Sequence, residues 1–219
     1  MSIDVGALLH LLAHELRAPA SVAQGYLRML RDGRLAAPAE RERALAQTQA
    51  AVARISALTH EASALADLLE TPPPARRATA LDAVLAEAVA HAALDAPVRP
   101  PRTGTDVPLC RPAEVARALG TLIEAAARQA RGAAPTIAVR RATSGPGHEL
   151  LIGQVEGFGA LGAGPGAQRT VDFPTDRGGF GLKLLAAHVV LDAEGASVWT
   201  TAGAPVALAV RFPEEEQPA

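Results

Sequence analysis

The sequence predicts an α+β chain, an N-terminal antiparallel helical hairpin followed by an α/β sandwich, and three observations predict it. Apolar residues recur three and four apart through about residue 69, a run of prolines then interrupts them, and short apolar strand-like segments alternate with helical ones beyond. The chain has 219 residues and 49% hydrophobic content, enough to bury real cores. Aromatic residues make up only 3%, so those cores must be built from Ala, Leu and Val, which suit helix pairs better than a β-sandwich.

In the first helix Leu9, Leu12, Leu16, Ala20, Ala23, Leu27 and Leu30 form one apolar seam. Asp32-Gly33-Arg34 supplies a turn, and Pro38 opens the second helix with Glu40 and Glu42 near its positive end. Leu45, Thr48, Val52, Ile55, Thr59, Ala62, Ala66 and Leu69 give that helix a coiled-coil seam. A two-helix hairpin cannot cover both stripes with its own partner, so a dimeric four-helix bundle is the expected solution. The alternative is a hairpin packed onto the rest of its own chain.

Thr71-Pro72-Pro73-Pro74-Ala75-Arg76-Arg77 reads as a stiff linker, which divides the chain into a hairpin over 1–71, a linker over 72–78, a second domain over 79–214 and a tail over 215–219. The second domain is expected to hold helices over Leu81–Ala93 and Pro112–Arg131 and strands over Thr136–Arg140 and Leu150–Val155. A glycine-rich loop follows over Gly157–Gly166, then a helix near Gly181–Leu191 and strands over Ser197–Thr201 and Val206–Phe212.

A formal net charge of −2 gives no electrostatic case for binding nucleic acid or a membrane surface. The single cysteine, Cys110, excludes an internal disulfide and a multi-cysteine metal site. No segment reads as a membrane span, and the Met1-Ser2-Ile3-Asp4 start lacks signal-peptide character, so a cytoplasmic location is expected.

The chemistry centres on His14, within Leu11-Leu12-Ala13-His14-Glu15-Leu16-Arg17-Ala18-Pro19-Ala20. At about 100° per residue His14 lies roughly 200° from Leu12 and Leu16, so a helix that buries its leucines holds the imidazole toward water. A lone histidine on a polar helix face is ordinary; its neighbours are not. Glu15 can accept a ring proton by hydrogen bond and leave the other nitrogen free for attack on phosphorus, and Arg17 can offset phosphate charge. Pro19 has no N–H to give the carbonyl near Glu15, so a bend is expected beside the imidazole. Ala18, Ser21, Val22, Gly25 and Met29 share the side of His14 and offer a small-residue landing strip for a partner helix. A generally alanine-rich composition explains the same strip equally well.

The run His14-Glu15-Leu16-Arg17-Ala18-Pro19-Ala20 resembles the phosphoacceptor box of two-component sensor histidine kinases, usually His-Glu-Leu-Arg-Thr-Pro-Leu. The resemblance implies that His14 is the phosphorylated residue and Glu15 its proton acceptor. The family's Thr or Asn, implicated in orienting water for dephosphorylation of the partner, is replaced by Ala18. Alanine cannot hold a water, so that phosphatase activity is not carried over.

The second half is similar to the ATP-binding domain of the same family, with Gly178-Gly179-Phe180-Gly181-Leu182-Lys183 matching its last glycine box. The likeness places the family's magnesium-binding Asn at Ala125, between Glu124 and Ala126, and another usual Asn at Thr121. Alanine offers no oxygen to a hard cation. The family's adenine-reading aspartate falls on Val155, ahead of Gly157 and Gly159, with Glu156 one residue out of register. The remaining positions of this degenerate nucleotide site are Gly179 and Gly181. Its glycines read either as a retained phosphate cradle or as inherited loop geometry requiring positive φ, and the missing ligands favour the second. Restoring Glu124 or Glu156 to ligand duty requires a shifted alignment.

The resulting expectation is a histidine phosphotransferase that moves a phosphoryl group between aspartates of response-regulator receiver domains through His14. It uses no ATP, resident metal or cofactor, since the receiver brings its own Mg²⁺ and carboxylates. The alternatives are a soluble histidine kinase with a divergent ATP site and a non-catalytic regulator that binds a kinase or receiver.

Overall fold

The computed structural model describes residues 5–94, 96–130, 133–142, 147–162, 180–201 and 207–213. The chain divides into two compact units, Met1–Thr71 with Thr175–Lys183, and Pro72–Pro174 with Leu184–Ala219.

The first unit is a hairpin of α1 (Val5–Arg31) and α2 (Pro38–Glu70), which pack on each other. Gly33 takes φ 66°, the left-handed conformation that ends α1, while its N–H and that of Asp32 donate to the carbonyls of Leu30 and Arg28. Pro38 begins α2, and the Glu40 carboxylate accepts from the Ala37 N–H at 3.3 Å.

The seam differs in phase from the expected one. On α2 the buried residues are Ala44, Thr48, Ala51, Leu58 and Leu65, a heptad line, whereas Leu45 (51% exposed) and Val52 (50%) stand on its flank. On α1 Ala23 is buried and Leu12, Leu16, Pro19, Tyr26 and Leu30 are partly so, but Leu9 and Leu27 are exposed. Alanines on the seam let the two backbones approach, and the leucines and valine one position away are left outside.

The second unit begins with β1 (Arg77–Ala80), which takes in the last two residues of the expected linker and pairs antiparallel with β2 (Asp106–Leu109). Between them lie α3 (Leu81–His91) and a loop held by Asp82, whose carboxylate accepts from the Thr103 N–H (2.6 Å) and hydroxyl (2.5 Å). These bonds hold the Asp82 carboxyl below its usual range. Helix α4 (Pro112–Gln129) packs against α3, with Gly120 at the crossing.

The main sheet is antiparallel, in the order β3-β4-β6-β5, from β3 (Thr136–Arg141), β4 (His148–Gly153), β5 (Ser197–Thr200) and β6 (Ala207–Arg211). Helix α4 packs on β4. Leu151, Trp199, Ala207 and Ala209 cluster with Leu161, while Leu150, Ile152, Leu208 and Val210, also buried, alternate onto the opposite face. β4 is thus apolar on both sides over Leu150–Ile152, and Glu149 just before them is fully buried between Arg140 (Nε to Oε2, 2.7 Å) and Arg211.

One expected strand end is corrected. β4 stops at Gly153 (φ 139°), and Val155–Phe158 forms a short helix, α5, followed by a 3₁₀ turn over Gly159–Leu161. Val155 and Glu156 therefore sit on a helical turn rather than on opposite faces of a strand. Helix α6 (Phe180–Ala193) leads into β5. Among the described residues no helix is long and apolar enough to cross a membrane.

Candidate functional site

The residues expected to carry function fall into two sets, one on each unit. On the hairpin, α1 turns its apolar line toward α2 and leaves His14 exposed, the orientation expected from its angular distance to Leu12 and Leu16. The helix runs without interruption through Pro19. Arg17 is exposed as well. Ala18, Ser21, Val22 and Gly25 continue the open face, Met29 is half-buried, and nothing lies within 4 Å of where a Cβ on Gly25 would stand. A bare strip about three turns long therefore extends from the imidazole.

Glu15 points elsewhere. It is 7% exposed, and its Oε2 lies 3.9 Å from a guanidinium nitrogen of Arg54 on α2. Sequence reasoning missed Arg54; its place on the α2 flank that meets Glu15 depends on the phase of the seam.

On the second unit, Ala125 is completely buried within α4 and presents only a methyl group. The Thr121 hydroxyl donates to the Arg117 carbonyl at 3.1 Å, one turn back on its own helix. Glu124, 8% exposed, is paired with Arg128 at 2.7 Å. That pair borders a cavity of about 340 Å³ lined otherwise by Ala93, Leu94, Ala96, Ala127, Ala133 and Ala134. Its carboxylate already faces a cation.

Val155 is 57% exposed on α5, and Glu156 is exposed beside it. Gly157 is buried and Gly159 is open, but neither has positive φ, which corrects the expectation that these two glycines are kept for that conformation; Gly159 has φ −66°. Positive φ falls instead at Gly153 and at Gly162, where φ is 66°. Gly181 is buried at the start of α6, and Gly179 lies outside the described residues.

These side chains do not fit a Mg²⁺-nucleotide. Ala125, the position expected to hold the metal, has no oxygen, the adjacent Glu124 carboxylate is paired with Arg128, and Val155, the position expected to read adenine, offers no acceptor. Among the described residues no group of three or more His, Cys, Asp or Glu side chains is placed to hold a metal ion.

No protein-family profile matches the sequence. No curated protein matches it either. Solved structures do. The Acinetobacter baumannii histidine kinase AdeS is similar with a TM-score of 0.57 at 19% identity, over 93% of this chain and 98% of that chain. A bacterial phosphotransferase aligns over 96% of this chain and 97% of its own at 17% identity, with a TM-score of 0.40 that adds no weight to the fold assignment. With its helical hairpin followed by an antiparallel sheet and helices, the chain has a histidine-kinase-like α+β fold.

Proposed function

We propose that this chain is a histidine phosphotransferase of a two-component phosphorelay, acting as a homodimer through its hairpin. The observation that supports it best is the water-facing His14 at the head of the bare strip Ala18, Ser21, Val22 and Gly25, inside a phosphoacceptor-like box. An aspartyl phosphate on a receiver domain would dock there. The free ring nitrogen of His14 attacks phosphorus, the N–P bond forms as the P–O bond to aspartate breaks, and the receiver's carboxylate leaves. The reverse reaction on a second receiver completes the relay. Nothing in this cycle needs ATP, which agrees with the poor fit of Ala125, Val155 and the Glu124–Arg128 pair to a Mg²⁺-nucleotide.

The test is incubation with a phosphorylated receiver. Acid-labile label is expected on the wild type and none on His14→Gln, whose fold is preserved because the residue lies outside the packed seam. Equal labelling of His14→Gln would place the phosphoryl group on another residue. A parallel incubation with labelled ATP and Mg²⁺ is expected to give no autophosphorylation, and rapid labelling of His14 from ATP would leave the divergent kinase as the better account.

A further inference from the structure

Helix α1 carries a second histidine beside the first. His10 and His14 are both exposed on it, four residues apart, so they stand about 40° around the axis from each other and about 6 Å along it. At that separation two imidazoles can reach one ion at a nitrogen–zinc distance of about 2.0–2.1 Å, the spacing by which helical zinc sites take two histidines from one face. Among the described residues neither ring has a hydrogen bond or an ion pair. Glu15, next to His14, is turned inward toward Arg54, and the intervening Leu11 and Ala13 bring no polar side chain. The exposed His60 on α2 does not join them, since no group of three potential metal-binding side chains forms among the described residues. Elsewhere the same spacing pairs a histidine with a carboxylate, in Glu87–His91 at 3.4 Å and between the partly buried His188 and Asp192.

We propose that His10 and His14 form a two-histidine site for a divalent transition-metal ion, and that zinc bound there withholds His14 from phosphotransfer. The second half rests on the phosphotransfer reading; the first does not. Each neutral ring gives one lone pair to the ion and keeps its other N–H, water fills the remaining positions, and no electron is transferred. The nitrogen left over on His14 carries the proton, so no lone pair remains for attack on phosphorus. Two protein ligands are half the set of a closed structural zinc site, which makes the ion exchangeable. Imidazole suits zinc and its neighbours, whereas Mg²⁺ prefers oxygen, so the Mg²⁺ of a receiver does not compete.

Titration calorimetry of the full chain with zinc chloride tests the site. The wild type is expected to bind one ion per chain and to give no heat with Mg²⁺. His10→Asn and His14→Gln are each expected to weaken zinc binding by more than about tenfold, since removal of even an outer partner of a ligand costs that much. Both positions are exposed, so neither change touches the packed seam. No zinc binding by the wild type, or binding that either variant keeps at wild-type strength, would overturn the proposal. Melting gives a check in the same samples: zinc is expected to stabilise the wild type, because the helix is what holds the rings at this spacing, and not His10→Asn. An equal rise in both would place the ion elsewhere and overturn the site.

The inhibitory role is read as the ratio of transfer rates from a phosphorylated receiver with and without zinc, taken for each protein separately. With zinc at about ten times its measured Kd, roughly nine-tenths of the sites are filled, and wild-type transfer is expected to fall about tenfold. A chelator that takes zinc and leaves Mg²⁺ is expected to restore it. In His10→Asn the ratio is expected to stay near one, whatever its rate without metal. Equal inhibition of both proteins would put the effect of zinc on the receiver and overturn the inhibitory half of the proposal. A wild type left unlabelled without zinc would overturn the phosphotransfer reading, while calorimetry still decides the metal site.

Discussion

Glu194, only 2% exposed, spends both carboxylate oxygens on the start of α4, accepting from the N–H groups of Cys110 and Arg111 at 2.8 Å each. A carboxylate at a helix N-terminus satisfies donors that the helix itself leaves open and complements its dipole. Glu194→Ala takes the carboxylate from two part-buried donors and is expected to cost about 2–4 kcal/mol, with Glu194→Gln, which keeps one acceptor, losing roughly half of that. Urea unfolding of the two variants measures the difference, and equal midpoints would deny the capping role. His188, partly buried on α6, adds a pH dependence. Burial lowers its pKa and the Asp192 carboxylate pulls it back part of the way. The folded state thus resists a proton that the unfolded state takes up near the ordinary value of 6.5. Its contribution is complete above that value and is lost as the pH falls below it. The wild type is expected to lose more stability than His188→Gln between neutral pH and pH about 5.5, and parallel losses would remove His188 as the source.

At the scale of elements, the crossing of α3 and α4 depends on Gly120. A Cβ there would stand 2.7 Å from the Ala88 carbonyl oxygen and 3.1 Å from the His91 Cβ. Alanine is the better helix former by about 1 kcal/mol, but parting two packed helices costs about 1–3 kcal/mol, so Gly120→Ala is expected to be net destabilising. A melting temperature at or above that of the wild type would show that the crossing gives way easily. The helices themselves were legible because threefold and fourfold apolar spacing sustained over many turns has no competing reading. Their phase was not. With alanine beside leucine, the stripes through Ala44-Ala51-Leu58 and through Leu45-Val52 differ by one residue, and backbone approach favours the one that hydropathy ranks lower. Strands β1 and β2 left no local signal, since Arg77–Ala80 and Asp106–Leu109 are four residues each and exist through pairing with one another across α3. His14 was readable because exposure follows from helical angle. The Glu15–Arg54 pair was not, because it joins two helices whose register the sequence leaves open.

The molecule as a whole carries an apolar surface that its own hairpin does not cover. Among the described residues the exposed large hydrophobic side chains are Leu9, Val22, Leu27, Leu45, Val52 and Leu69 on the two long helices, and Val155 alone elsewhere. Leu9 and Leu27 both fall about 220° around α1 from His14, on the far flank of the seam, whereas Val22 lies about 80° from it, on the His14 side. A second copy seated on Leu9, Leu27, Leu45 and Val52 therefore leaves the imidazole and its small-residue strip free for a receiver. Burial of a Leu or Val side chain contributes about 1.5–3 kcal/mol when complete, and a two-fold interface uses each of these twice. Light scattering at micromolar concentration is expected to give the mass of a dimer. Val52→Glu sets a charge, and its symmetry copy, into that interface and is expected to give a monomer of unchanged helicity. A monomeric wild type would end the dimer proposal, and a dimeric Val52→Glu would move the interface off this flank of α2.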